Sequence, residues 1–203
     1  MTSDIKLDPL ALADWDPSLS NIIDDMNGRP LNVHSLMAHN PELLKAWWNF
    51  RNHSVNGGSL GRRKGELVIL RVAVHMKSWY EWASHVERSL SCGLSMDEIN
   101  RVKKETVKDW EPSEAILLSA VDELIKNHAL SQETLSALND QYNPKQIMDI
   151  IAIHGMYIIL GCMINSWGLE LDPHIKERLP GEVEDKFIEE KNLSGRNDID
   201  KFK

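Results

Sequence analysis

Four side chains with the means to move a proton fall inside one stretch, Gly61 to Gly93, which reads GRRKGELVILRVAVHMKSWYEWASHVERSLSCG. They are Glu66, Ser78, Glu81 and His85. Residues four apart on a helix are neighbours, so Glu81 and His85 are expected to share a face and touch, with Ser78 one turn earlier. A carboxylate against an imidazole is the minimal acid–base pair: the carboxylate fixes the tautomer and the imidazole moves the proton near neutral pH. Trp79 and Tyr80 would supply apolar or stacking walls. At about 100° per residue, Glu66 projects within roughly 60° of Glu81, and it closes the same cavity only if the helix bends or breaks between them. A Glu/His pair at this spacing is also a common solvated contact. Its apolar setting, with Trp79, Tyr80 and Trp82 alongside, favours a site.

Other polar residues carry less. Glu81 and His85 with Glu66 or His154 could form a carboxylate–histidine metal site, but the spacing is not HExxH, so no metal is expected. His154, in the middle of the most apolar segment, reads as a hydrogen-bonded core histidine. Arg62-Arg63-Lys64 reads as a charged helix start facing water. Cys92 and Cys162 form no CxxC and suggest neither a disulfide framework nor zinc; both read as core or near-core thiols.

The elements that must position these groups are helical. Apolar residues at Leu67, Leu70, Val74, Trp82, Val86 and Leu90 keep a 3.6-residue period, and Gly93 marks the end. Asn40-Pro41 and Asn143-Pro144 are helix starts, with Asn capping and Pro at the first helical position. The first opens a helix bearing Trp47, Trp48 and Phe50, and the adjacent tryptophans cannot share one face, so one is expected at a pocket or subunit interface. A short helix is expected within Leu31–His39. Ser95-x-x-Glu98 reads as a capping box for a helix to about Val107. Further helices follow Pro112 and Ser131, and the Asn143-Pro144 helix runs to about Asn165. No segment alternates as a strand does. The expectation is an all-α protein of about six to seven helices, with an N-terminal arm at 1–34 and a charged, irregular tail at 173–203.

The 203 residues are 42% apolar and 27% charged, ordinary for a globular chain, and the net charge of −8 offers no basic stripe for nucleic acid or a polybasic membrane contact. The best candidate span, Ile147 to Trp167, is interrupted by Asp149, His154 and Asn165, so no membrane crossing is expected. The acidic N-terminus is unlike a signal peptide, which predicts an intracellular, cytoplasmic protein.

Over roughly 35–172 the chain resembles the carboxymuconolactone decarboxylase family, which shares the all-helical fold of the alkylhydroperoxidase AhpD. The resemblance rests on the Arg/Glu-rich start leading to Glu66, the long apolar helix, Tyr80-Glu81-Trp82-x-x-His85 and the Gly-Leu-Ser turn. In the second half it rests on Trp110 before the Pro112 helix and on Asn165-x-x-Gly168. The peroxidase branch uses a Glu, a CxxC and a His as a proton relay, and Glu66, Ser78, Glu81 and His85 match that spacing with Ser78 and Glu81 where the cysteines would stand. Lacking a thiolate, the chain has no nucleophile for a peroxide and no disulfide partner, which argues against thiol peroxidase activity. The decarboxylase branch implies cofactor-independent proton transfer on a small organic acid or lactone, by a lyase or an isomerase. His85 would be the acid/base, oriented by Glu81, with Glu66 a second candidate; Ser78, Tyr80 and Trp79 would bind substrate. The resemblance also implies a homo-oligomer (trimer, hexamer or dimer), to which an exposed Trp47/Trp48 pair and the charged tail would contribute. A non-catalytic helical oligomer binding a small apolar ligand stays open as an alternative.

Overall fold

The computed structural model describes residues 6–181 together with Val183 and Phe187. It contains helices α1 (Ser20–Asp25), α2 (Asn32–Met37), α3 (Pro41–Arg51), α4 (Arg62–Met76), α5 (Trp79–Ser91), α6 (Met96–Arg101), α7 (Pro112–Asn127), α8 (Gln132–Asn139), α9 (Pro144–Trp167) and α10 (Pro173–Lys176). Two 3-10 turns precede α1, a π-helical segment Asn52–Gly57 continues α3, and no strand occurs among the described residues. Among the described residues the ten α-helices named exceed the six or seven expected. The N-terminal arm contributes α1, the start of the tail contributes α10, and the Gly61–Gly93 stretch divides in two.

That division is the main correction to the reading of one continuous helix. Lys77 takes a left-handed conformation (φ 52°, ψ 35°) that stops α4, and Ser78 becomes the N-cap of α5. Hydrophobic period alone does not reveal such a corner, because both halves keep the same apolar spacing. Elsewhere the helix starts follow the capping residues. Asn40 accepts from the Leu43 amide with Pro41 at the first helical position, and Asn143 does the same for Gln146 with Pro144. Ser95 and Glu98 close a reciprocal capping box, though α6 ends at Arg101, short of Val107.

Helix α4 is the centre of the fold, packed against α5, α7 and α9. Residues Gly65 to Ala73 are all buried, so α4 has no water-facing stripe in that span. Its one cation there, Arg71, is fully satisfied: it clamps Asp122 through two bonds of 2.6 Å and donates to the carbonyls of Val102 and Lys104. Such a bidentate, charge-assisted fork makes a buried guanidinium tolerable. Arg63 does not simply face water; it bridges Glu98, Glu114 and the Gly93 carbonyl, binding α4 to α6 and α7.

Helix α9 is long and apolar enough to cross a bilayer by length and composition, its three polar interruptions notwithstanding, and half of its apolar window is buried in the protein as core. Cys162 on this helix is exposed, not near-core, whereas Cys92 is half-buried. The N-terminal arm is packed in, with Trp15, Leu19 and Ile22 in the hydrophobic core. Val183 and Phe187 return from the tail to the same core, Phe187 lying 5.5 Å from the Trp82 ring, centre to centre. The rest of the expected tail lies outside the described residues.

A single buried carboxylate ties the arm to the body. Asp172 accepts the Asn32 amide (3.0 Å) and the Tyr80 hydroxyl (2.6 Å), and the Tyr80 oxygen in turn accepts the Val33 amide (3.2 Å). Removing the acceptor strands a buried hydroxyl and an amide, so Asp172→Ala should cost about 2–4 kcal/mol. Urea unfolding of the variant, with the far-UV spectrum unchanged before the transition, checks this.

Candidate active site

The corner at Lys77–Ser78 folds α5 back along α4, and this brings Glu66 to His85. The His85 Nδ1–H donates to Glu66 Oε2 at 2.6 Å, while Arg88 Nε donates to Glu66 Oε1 at 3.2 Å. On its other side His85 Nε2 lies 3.0 Å from the Tyr157 hydroxyl of α9, whose ring meets the imidazole edge-on at 5.0 Å. The result is a buried line Arg88–Glu66–His85–Tyr157. Burial pushes the Glu66 carboxyl up, but His85 and Arg88 together outweigh it and hold it below the ordinary carboxyl value. For Tyr157 burial dominates and raises the phenol, Glu66 adding to it, so Tyr157 stays protonated.

Glu81 does not orient His85, as its spacing had led one to expect. Both of its oxygens are buried and meet no hydrogen-bond partner. Burial raises this carboxyl to about 8, and the Ser78 hydroxyl pulls the other way from nearby without reaching hydrogen-bond geometry. Helix α9 makes room for it at Gly161, where an added Cβ would come within 2.9 Å of Glu81 Oε2 and 3.1 Å of Met76 Cε. Glycine here permits close approach.

Glu81, His85, Arg88 and Tyr157 all line one cavity of about 70 Å³, with Ser84, Leu160 and Ile164 among its other walls. Tyr80 also lines it, but its hydroxyl is committed to Asp172. Ser78 is fully buried as the α5 cap, and Trp79 stacks on Phe187 at 5.6 Å; neither is a wall of this cavity. His154 is half-buried with Nε2 unpartnered, away from the cavity. Trp47 and Trp48 are not exposed: both are buried around His34, so they offer no surface for assembly.

Sequence reasoning missed Tyr157, Arg88, His34 and Arg51. Arg88 was within reach, since it follows His85 by three and Glu81 by seven on the same helical face. Tyr157 carried only the weak signal of a lone hydroxyl in an apolar helix.

Burial first and Glu66 second raise the Cys92 thiol above its ordinary value. Glu81 makes the fold sensitive to alkali. In the unfolded chain its carboxyl titrates near 4.5 and in the folded protein near 8, so the native state keeps a proton that the unfolded state has lost. The associated stability is fully present below pH 4.5 and is lost as pH rises through about 8, on the order of 4 kcal/mol in all. Glu81→Gln should therefore match the parent in Tm at pH 4.5 and exceed it by upwards of about 5 °C at pH 8.5. Thermal melts across that range check it.

Residues 41–105 match the model of the carboxymuconolactone decarboxylase family. No curated protein matches the chain. Among solved structures, an alkylhydroperoxidase AhpD core protein, an uncharacterized peroxidase-related protein from Ralstonia eutropha JMP134, superposes with a TM-score of 0.74 at 19% identity, covering 88% of this chain and 100% of its own. A peroxidase-related protein from Silicibacter sp. TM1040 gives 0.70 at 17%, covering 86% and 97%. The debrominase Bmp8 in complex with 2,3,4-tribromopyrrole gives 0.72 at 14%, covering 86% and 97%. Residues 41–105 thus match the carboxymuconolactone decarboxylase family model, within an all-helical fold like that of the AhpD core protein and in a sequence with no CxxC.

Proposed function

We propose that the protein is a cofactor-independent acid/base enzyme acting on a small organic acid or lactone, a lyase or isomerase of the carboxymuconolactone decarboxylase type. One observation carries this reading: two carboxyl groups are driven apart around His85, Glu66 bonded to it and held down by His85 and Arg88, Glu81 lining its cavity and raised to about 8 by burial. Environments that separate two acids in this way assign them different roles. Glu66 keeps its charge and holds the His85 proton on Nδ1, which leaves Nε2 and the Tyr157 hydroxyl at the cavity to exchange a proton with substrate. Glu81, neutral at pH 7, is the proton donor to a carbon that has lost CO2, or to one end of an isomerising enolate as His85 removes a proton from the other. Tyr157, whose hydroxyl donates to His85 Nε2 in the resting site, is released to donate to the developing oxyanion once Nε2 takes up a proton.

The likeness to peroxidase-related proteins and to a debrominase supports the fold and leaves the reaction to this chain's own residues. The competing reading, a helical module that binds a small apolar ligand without turnover, draws on the small size of the cavity, about 70 Å³. Self-association through apolar surface would use α9, where Met148, Ile151 and Ile159 are exposed, and not the tryptophans.

With β-keto acids and lactones as substrates, His85→Asn and Glu66→Gln should each lower kcat by about 10²–10⁴-fold while the helical spectrum is kept. Glu81→Gln should do the same and remove the fall in rate that the parent shows as pH rises through about 8. Near-normal turnover in all three would eliminate the proposal, and no turnover of any such substrate by the parent would favour the binding module.

A further inference from the structure

The cavity beside His85 adjoins a second space. Leu31, His34 and Arg51 line the cavity and also line a wider, open recess of about 610 Å³, whose other walls include Asp25, Arg29 and Trp48. The two spaces therefore share three walls, and two of these carry unspent hydrogen-bond donors.

Arg51 ends α3, its guanidinium 4.9 Å above the Trp48 ring and one nitrogen donating to Asn52 at 3.1 Å. No carboxylate among the described residues forms an ion pair with it. The acid of the recess, Asp25, accepts instead from the Trp48 indole at 2.7 Å. His34 is 5% exposed and wedged between Trp47 and Trp48, at 5.9 and 5.4 Å between ring centres. Its Nδ1 accepts the Leu31 amide at 3.3 Å, which places the proton of a neutral ring on Nε2, and no described residue accepts it. Burial first and Arg51 second push this imidazole down to about 3, so it serves as a neutral donor at any working pH. A guanidinium that makes no ion pair, with only the Asp25 carboxylate charge acting on it, beside a His34 N–H with no acceptor among the described residues offers two donors to an anionic oxygen pair.

We propose that Arg51 and His34 bind the carboxylate of the substrate where the two spaces adjoin, so that the substrate is a small organic anion whose reacting carbon enters the inner cavity while its head stays at the entrance. This rests on the acid/base reading for the direction in which the molecule lies. The inner volume of about 70 Å³ is that of roughly two waters and suits only the reacting end. Arg29 in the outer recess and Arg88 in the inner cavity add positive charge along the path, against Asp25 and a neutral Glu81. An acidic chain of net charge −8 thus presents a locally cationic entrance, which draws in anions that the remaining surface repels.

Levulinate, a keto acid with no readily lost CO2, and methyl levulinate, its neutral mate, separate charge recognition from turnover. Calorimetric titration of the full chain should show levulinate binding about ten- to a hundredfold tighter than the ester. Arg51→Gln should abolish that preference, and His34→Phe should weaken levulinate several-fold in a variant that remains folded by its far-UV spectrum. His85→Asn should keep the preference for acid over ester, because the carboxylate sits at Arg51 and His34. Equal binding of acid and ester, parent-like levulinate affinity in Arg51→Gln, or no levulinate binding at all overturns the proposal. Charge-selective binding that depends on Arg51, in a protein that turns over no keto acid or lactone, would instead sink the acid/base reading and leave the anion site standing.

Discussion

The site depends on a single backbone corner. Were the apolar pattern of Leu67 to Leu90 to continue as one rod, Glu66 and His85 would stand nineteen residues and almost 30 Å apart at about 1.5 Å per residue. Lys77 in the left-handed region removes that distance by letting α5 return along α4. A non-glycine residue there costs on the order of 1 kcal/mol. The buried, charge-assisted contacts of Glu66 with His85 and Arg88, along with the packing of α5 on α4, outweigh it. The Ser78 cap and the Asp172–Tyr80 latch then fix where α5 begins and how the arm closes over it.

From that corner follows a division of labour that composition does not suggest. Glu66 comes from the second turn of α4 and is the carboxylate that receives a histidine and an arginine. Glu81 comes from the first turn of α5, receives no partner, and is met by Gly161, the residue that leaves space for it. One imidazole therefore bonds an anchored anion and shares its cavity with a neutral acid.

Much of this was legible from residue types and little of it from pairings. The all-helical fold followed from apolar period, and the helix starts from Asn-Pro and Ser-x-x-Glu, because capping is a local interaction that sequence records directly. Glu66, Glu81 and His85 were picked out as one group because they are polar residues in an apolar setting. Which carboxylate touches the histidine was not legible, since that depends on a left-handed lysine, and no glycine marks the turn. Arg51 and His34 were invisible for another reason. They come from the end of α3 and from the arm, and only tertiary packing against Trp47 and Trp48 brings them to the cavity.

Glu81 also shows which of two opposed effects prevails. It sits in the first turn of α5, where the helix dipole favours a carboxylate by about 0.3–1 kcal/mol. Its carboxyl nonetheless titrates near 8 and not below 4.5, a displacement that corresponds to on the order of 4 kcal/mol in favour of the neutral form. Desolvation therefore exceeds the dipole several-fold. A thiol at the same helix start would feel the dipole and an apolar wall with the same signs. A carboxylic acid begins some four units lower, so the same burial brings it to the pH at which a proton can be both held and given.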